Sequence, residues 1–266
     1  MTATSTRTAP KRRAANSGDT AAIAAVTTAA RTLGLPTVRD RLEEHLASAH
    51  REQLSYAAFL ADILGAECDD RAERRRYRRV REAGFPRPKR LEQFDFDANP
   101  TINPATIHTL AAGSWIATGA PLCLIGDSGT GKTHLLIALG TAAAEAGHRV
   151  RYVLASRLVN ELAEAATEHQ LAKTIARYGR LQLLCIDELG YLSLDRHGAE
   201  LLFQVLTERE EKASIAIATN EPFSSWTSTF TDPRLCAAIV DRLTYNGHII
   251  ETGTTSYRLA HTRKNR

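Results

Sequence analysis

Two kinds of hydrophobic pattern divide this chain. Before residue 90, apolar side chains such as Val38, Leu42 and Leu46 recur at the spacing of an amphipathic helix. After residue 120, short apolar runs alternate with stretches of helical spacing, which predicts parallel strands joined by crossover helices. The pattern therefore predicts an α/β fold, with a parallel sheet flanked by helices, preceded by a small all-helical domain.

The helical part follows a polar N-terminal stretch. Residues 1–20 are rich in Thr, Ala, Lys and Arg and carry almost no large apolar side chain, so we expect a disordered basic tail. Residues 21–90 are expected to form the helical domain. Ser55 has the character of an N-cap, and the helix after it has an apolar face made of Tyr56, Phe59, Leu60, Ile63 and Leu64.

The end of the helical domain is strongly basic. Arginine recurs between Asp69 and Ala83, and few carboxylates lie three or four positions away to neutralise it. A solvated face or a docking surface would explain such a helix, but we favour contact with the phosphates of DNA, without sequence preference. The residues expected to contact DNA are Arg71, Arg74, Arg75, Arg78 and Arg79.

The α/β part shows a regular rhythm. Gly84, Pro86 and Pro88 end the basic helix and open a linker toward it. The predicted strands are 121–125, 149–154, 181–186 and 214–218. Helices are predicted after residue 133, over 156–178 and over 198–212.

The segment after the first strand has the composition of a phosphate-binding loop. It reads Gly126-Asp127-Ser128-Gly129-Thr130-Gly131-Lys132-Thr133, a complete Walker A pattern between a strand and a helix. Its glycines let backbone N–H groups face a polyphosphate, and the helix N-terminus favours negative charge. Lys132 is expected to neutralise the β- and γ-phosphates and Thr133 to ligate Mg²⁺, and His134 completes the nucleotide-binding set.

Two carboxylates and an amide follow the later strands. Asp187 and Glu188 end an apolar strand, where Asp187 is suited to hold Mg²⁺ and Glu188 to polarise the attacking water. This pair implies hydrolysis. Asn220 is suited to sense the γ-phosphate, although Thr219 could share that role and an ordinary turn would also explain Asn220. No NKxD-type guanine motif is present, so ATP is favoured over GTP.

Together these motifs resemble the IstB-type helper ATPases encoded beside insertion-sequence transposases, relatives of the DnaC helicase loader within the AAA+ superfamily. The phrase Asp-Glu-Leu-Gly-Tyr-Leu at 187–192 carries most of the specificity. The N-terminal region 33–96 also resembles that family. Further matching segments are Leu201–Gln204, Thr219–Phe223, Trp226, Asp241–Leu243 and Gly253–Arg258.

The resemblance implies an activity beyond ATP hydrolysis. Such proteins bind double-stranded DNA without sequence preference, assemble into ATP-dependent homo-oligomers and present target DNA to a partner transposase. By position, Arg242 matches the arginine that reaches a neighbour's γ-phosphate, with Arg234 as its local competitor. The AAA+ domain is expected at 91–266 without a full helical lid, and Phe94 and Phe96 lie where relatives approach the adenine.

Two alternatives remain open at this point. A DnaC-like loader shares the ATPase core but partners a replicative helicase, and an architectural DNA clamp would use nucleotide only structurally. The formal net charge of +4 is compatible with DNA contact without establishing it. No apolar stretch has the length of a membrane span and the N-terminus lacks the apolar core of a signal peptide, so we expect a cytoplasmic protein without a membrane partner.

Overall fold

The chain forms two compact units. The computed structural model describes residues 17–191 and 194–257, and the division falls between Arg74 and Arg75, inside one helix. The sequence placed this boundary near residue 90. It lies earlier because the end of that helix belongs to the core of the second unit, where Ala83 is fully buried. Of the expected tail, residues 1–16 lie outside the described residues and 17–20 begin the first helix.

The first unit is built from helices α1 (Ser17–Leu33), α2 (Pro36–Glu52) and the first part of α3 (Tyr56–Ala83). Its buried core consists of Ala30, Val38, Leu42 and Ile63. This core is small, and of the predicted apolar face of α3 only Ile63 is buried in it. Phe59 packs against it partly, whereas Tyr56, Leu60 and Leu64 are exposed.

A buried carboxylate holds the start of α2. Glu67, on α3, is 3% exposed and accepts hydrogen bonds from the backbone N–H groups of Thr37 (2.7 Å) and Val38 (3.2 Å). Helix α2 has no side-chain cap of its own, so Glu67 satisfies N–H groups that the first turn leaves open. Arg74 lies 3.1 Å and Arg71 3.6 Å from the other oxygen of Glu67. Both arginines therefore neutralise a charge buried within the protein.

The second unit contains a five-stranded, fully parallel sheet in the order β2-β3-β4-β1-β5. Two hydrophobic clusters cover its two faces, because successive residues of a buried strand point to opposite sides. The strands are β1 (Leu122–Ile125), β2 (Val150–Leu154), β3 (Leu183–Asp187), β4 (Ser214–Thr219) and β5 (His248–Glu251). The helices are α4 (Pro104–Ala111), α5 (Ser114–Ala117), α6 (Lys132–Glu145), α7 (Ala155–Thr167), α8 (Leu171–Gly179), α9 (Arg196–Arg209) and α10 (Pro233–Thr244).

The predicted fold class is confirmed, with two local differences. The single helix expected over 156–178 is interrupted at 168–170, where His169 adopts a left-handed conformation with φ of 58°. No glycine or proline marks that break. Strand β5, paired with β1, was not predicted from the hydrophobic pattern. None of the described helices is long and apolar enough to cross a membrane.

Candidate nucleotide-binding site

A cavity of about 410 Å³ lies at the carboxyl ends of the central strands. One wall is the loop 128–133 that follows β1, and another is formed by Asp187 and Glu188 after β3. Asn220, after β4, and the linker before α4 complete the lining. The structure thus brings the predicted phosphate loop, carboxylates and amide together in a cavity of the size that small ligands occupy.

The loop conformation depends on glycine. Gly126, Gly129 and Gly131 have φ of 154°, 89° and 102°, which side chains rarely adopt. A Cβ atom on Gly131 would lie 2.6 Å from the ring of Phe94. One on Gly126 would collide with the hydroxyl of Thr252. Backbone strain and close neighbours therefore both select glycine at this loop.

The segment after β5 supports the loop from behind. The N–H of Asp127 donates to the carbonyl of Gly253 (3.0 Å), and the hydroxyls of Thr130 and Thr252 lie 2.6 Å apart. The amide of Asn99 donates to the carbonyls of Thr130 (3.0 Å) and Thr252 (2.8 Å). Thr130 is only 2% exposed, so its side chain braces the loop. Asn99 and its support of the loop were not predicted from the sequence. Arg258 and Leu192, which belong to the segments that resemble the family, lie outside the residues that the structure describes.

Lys132 and Thr133 begin helix α6 at the cavity. The Lys132 ammonium donates to the carbonyls of Gly126 (2.5 Å) and Asp127 (2.7 Å), which hold it over the loop. The Thr133 hydroxyl lies 3.3 Å from Oδ1 of Asp187. The helix N-terminus, the ammonium and the hydroxyl thus converge on the region that the glycine loop encloses.

Asp187 is a buried carboxylate with ordered partners. It is 3% exposed, its Oδ2 accepts from the Tyr152 hydroxyl (2.8 Å), and its Oδ1 accepts from the Glu188 N–H (2.9 Å). Burial and the neighbouring Asp187 charge raise the pKa of Tyr152 well above its ordinary value, so the hydroxyl keeps its proton and remains a donor. Tyr152, on β2, was not anticipated, although it pairs opposite Cys185 on β3, whose side chain points to the same face of the sheet as that of Asp187.

The donor set fits Mg²⁺ better than a transition metal. Among the described residues, no group of three or more His, Cys, Asp or Glu side chains could hold a metal ion. Mg²⁺ is usually bound by one or two protein oxygens, together with water and phosphate. Asp187 and Thr133 supply such oxygens beside the phosphate loop.

Glu188 combines an exposed side chain with a strained backbone. Its φ of 62° is left-handed, an arrangement that costs about 1 kcal/mol for a residue with a Cβ atom. The side chain lines the cavity one residue beyond the buried Asp187. The turn therefore gives the two adjacent carboxylates different surroundings, one buried and hydrogen-bonded and one facing the cavity.

Asn220 carries a buried oxygen, Oδ1, without a hydrogen-bond partner in the described part of the chain. The Thr219 hydroxyl is engaged in its own turn, where it accepts from the Glu221 N–H (3.1 Å). Gly190 leaves room for the amide, because a Cβ atom there would overlap Oδ1 of Asn220 and lie 2.8 Å from Oγ1 of Thr219.

His134 and Phe94 join the linker to α6. The His134 Nε2–H donates to the Arg90 carbonyl (2.9 Å), and its ring meets Phe94 edge to face at 5.3 Å. The side chain of His134 thus anchors the linker while also lining the cavity. Phe94 lines the cavity too, whereas Phe96 packs against Phe94 and His108.

Arg242 lies away from this cavity. Its Nε donates to Glu210 (2.8 Å) and its guanidinium lies 4.3 Å from the centre of the Phe203 ring. It borders a separate cavity of about 440 Å³ that is also lined by Pro121 and His248, at the amino ends of strands. The sheet thus separates Arg242 from the phosphate loop of its own chain. Arg234 is exposed in the first turn of α10.

The basic helix is more heterogeneous than its sequence indicated. The count of carboxylates near the arginines was wrong, because it omitted Glu67, which pairs with Arg71 and Arg74. Arg78 lies 3.7 Å from Glu82, and Arg79 is half-buried, with its Nε enclosed. Arg75 is exposed, with no ion pair to any residue that the structure describes. Arg75 and Arg78 are therefore better placed for an external anion than the other three.

The chain is similar to known ATP-binding proteins. Residues 28–265 match the family described as IstB-like ATP binding protein. An insertion sequence ATP-binding protein of Sinorhizobium fredii is 40% identical over 227 residues, covering 85% of this chain and 76% of that protein. The insertion sequence IS21 ATP-binding protein of Pseudomonas aeruginosa is 37% identical over 223 residues, covering 84% of each.

The fold also has solved counterparts. The structure of AMPPCP-bound DnaA from Aquifex aeolicus superposes with a TM-score of 0.54 at 20% identity, covering 64% of this chain and 51% of that one. This likeness concerns the fold.

Gly190→Ala should slow ATP hydrolysis without preventing ATP binding. The new Cβ would displace the Asn220 amide, so we expect ATP hydrolysis to fall about a hundredfold, the scale for losing one positioned polar contact. ATP affinity should be retained because the phosphate loop is untouched. Steady-state hydrolysis and nucleotide titration measure the two effects, with Gly65→Ala as the control because a Cβ there meets open space. Hydrolysis at the wild-type rate would show that Asn220 is not needed.

Proposed function

Because this chain belongs to the IstB-like ATP-binding family and is an AAA+-type ATPase, we propose that it is a transposition helper that assembles on DNA. In this proposal the ATP-bound oligomer binds target DNA with little sequence preference and recruits or stimulates a partner transposase. The observation that carries it is the phosphate loop facing Asp187, Glu188 and Asn220 in a chain whose relatives are insertion sequence proteins.

In this proposal, different cavity residues have different roles in hydrolysis. The loop N–H groups and Lys132 bind the phosphates, while Asp187 and Thr133 hold Mg²⁺, which stabilises negative charge on the phosphates when bound. Glu188 orients and polarises the attacking water, and Asn220 positions that water or the γ-phosphate. An architectural protein with a purely structural nucleotide has no need of Glu188 in a strained turn at the cavity.

Oligomerisation would complete the site. Arg242 and the phosphate loop lie at opposite ends of the strands, so Arg242 can approach a γ-phosphate only on another subunit. We therefore keep Arg242 as the arginine that acts across subunits. Its contacts with Glu210 and Phe203 would hold the guanidinium in place until a neighbour docks. Arg234, exposed on the same helix, is the competing candidate.

Two variants test whether ATP controls assembly on DNA. Lys132→Ala on its own should abolish ATP binding and self-assembly, because the main cation facing the phosphates is removed. Glu188→Gln should bind ATP but hydrolyse it roughly a hundredfold more slowly, and so trap the oligomer on DNA. Light scattering with duplex DNA measures assembly, and strand-transfer assays with a candidate partner transposase measure its stimulation. The proposal would be contradicted if DNA binding by the wild type did not depend on ATP. It would also be contradicted if the trapped oligomer left the activity of the transposase unchanged.

The DNA contact should depend on Arg75, which forms no ion pair with a described residue, and on Arg78, whose ion pair with Glu82 is exposed. Arg75→Ala with Arg78→Ala should weaken binding equally on unrelated duplexes, because phosphates carry no sequence information. The salt dependence should fall by about 0.9 of a slope unit for each phosphate that the variant no longer neutralises. Anisotropy titrations across salt concentrations measure both effects.

Arg71→Ala with Arg74→Ala is the matched pair on the same helix. It should instead lower the free energy of unfolding, because Glu67 would keep a buried, unpaired charge. If the Arg75 and Arg78 pair changed neither affinity nor slope, the DNA site would lie elsewhere.

Arg242→Ala should bind ATP but hydrolyse it poorly, and mixing it with Lys132→Ala should restore part of the activity. In mixed assemblies one protomer supplies an intact phosphate loop and its neighbour supplies the arginine. Glu210→Ala controls for the broken ion pair, since it removes the partner but keeps the guanidinium. No recovery in assemblies confirmed by light scattering, or an equal defect in Glu210→Ala, would shift the assignment to Arg234.

A further inference from the structure

The linker segment 85–94 is anchored at both ends against the nucleotide-binding core. At its start, Phe85 packs on Tyr152, with ring centroids 6.0 Å apart, and fills the space beside Gly140. At its end, Phe94 covers Gly131. Between them Arg90 pairs with Glu145 at 2.6 Å. These contacts hold the segment along α6, from Gly140 to Gly131.

Two cations of this segment line the nucleotide cavity. Arg87 and Lys89 face the same space as Lys132 and the phosphate loop. Neither forms an ion pair or side-chain hydrogen bond with any residue in the described ranges 17–191 and 194–257. Pro86 and Pro88 alternate with them and fix φ, so little backbone freedom remains to be given up when a ligand binds.

The linker carries these charges to the start of α6, because the Arg90 carbonyl beside Lys89 accepts a hydrogen bond from the Nε2–H of His134 (2.9 Å). Arg87 and Lys89 therefore line the cavity next to the helix terminus that faces the phosphates. Three carboxylates, those of Asp95, Asp187 and Glu188, line the same cavity, and the linker cations offset negative charge that would otherwise repel a polyphosphate.

We propose that Arg87 and Lys89 bind the polyphosphate of the nucleotide, from the side opposite the phosphate loop. A triphosphate beside Asp187 and Glu188 needs more positive charge than Lys132 provides, and the linker supplies it. This inference rests on the proposed ATP-dependent function, and it assigns a nucleotide-binding role to residues outside the Walker motifs.

The test is direct binding of mant-ATP, followed by anisotropy. Arg87→Gln with Lys89→Gln removes both charges while keeping polar side chains, and should raise the Kd for mant-ATP at least about tenfold. Arg87→Lys with Lys89→Arg keeps the charges and should retain most of the affinity. The matched control is Lys173→Gln with Arg180→Gln, two cations of the same unit that do not line the cavity, and it should bind as wild type does.

The outcomes separate this inference from the proposed function. Wild-type affinity in the Arg87→Gln, Lys89→Gln protein would overturn the inference and leave the proposed function standing, even if that protein bound DNA more weakly. An equal loss of affinity in the charge-conserving variant would assign the linker a packing role and also overturn the inference. If wild type itself bound no mant-ATP, or bound it as weakly as Lys132→Ala, the proposed function would fail first. Thermal melting without nucleotide confirms that each variant is folded.

Discussion

The site depends on the placement of one buried negative charge. A carboxylate as enclosed as Asp187 is costly unless its oxygens are hydrogen-bonded, and the fold supplies donors from three elements. Tyr152 comes from β2, Thr133 from the start of α6, and the Glu188 N–H from the turn after β3. Satisfying Asp187 therefore fixes the register of β2 against β3, the position of α6 and the turn that presents Glu188.

Much of this could be predicted from sequence, because the informative features are local. The Walker loop and the Asp187–Glu188 pair each occupy consecutive residues, and parallel strands bring their carboxyl ends to one edge of the sheet. Asn220 was identified for the same reason. No local pattern shows that Oδ1 of Asn220 lacks a hydrogen-bond partner among the described residues, or that Gly190 leaves space for the amide; both are seen only in the structure.

What could not be predicted consists of contacts between distant parts of the chain. Glu67 lies one helical turn before Arg71, so their pairing was within reach of the sequence, but the hydrogen bond that buries Glu67 against the N–H of Thr37, thirty residues away, was not. Arg209, fully buried, donates to the carbonyls of Leu181 (2.9 Å) and Ser214 (2.6 Å), although its sequence context is an ordinary helix end. Hydrophobic periodicity reports how much of a helix is apolar but not which partner covers it.

The left-handed turn at Glu188 has a consequence for how such sequences diverge. Glycine or asparagine would fit that conformation with less strain, so the fold alone favours replacing the residue that we propose activates the water. Copies of a mobile element that no longer need to turn over ATP would be expected to drift toward those residues and gain slight thermal stability as they lose activity. The identity of one backbone-strained position would then distinguish active copies from decaying ones.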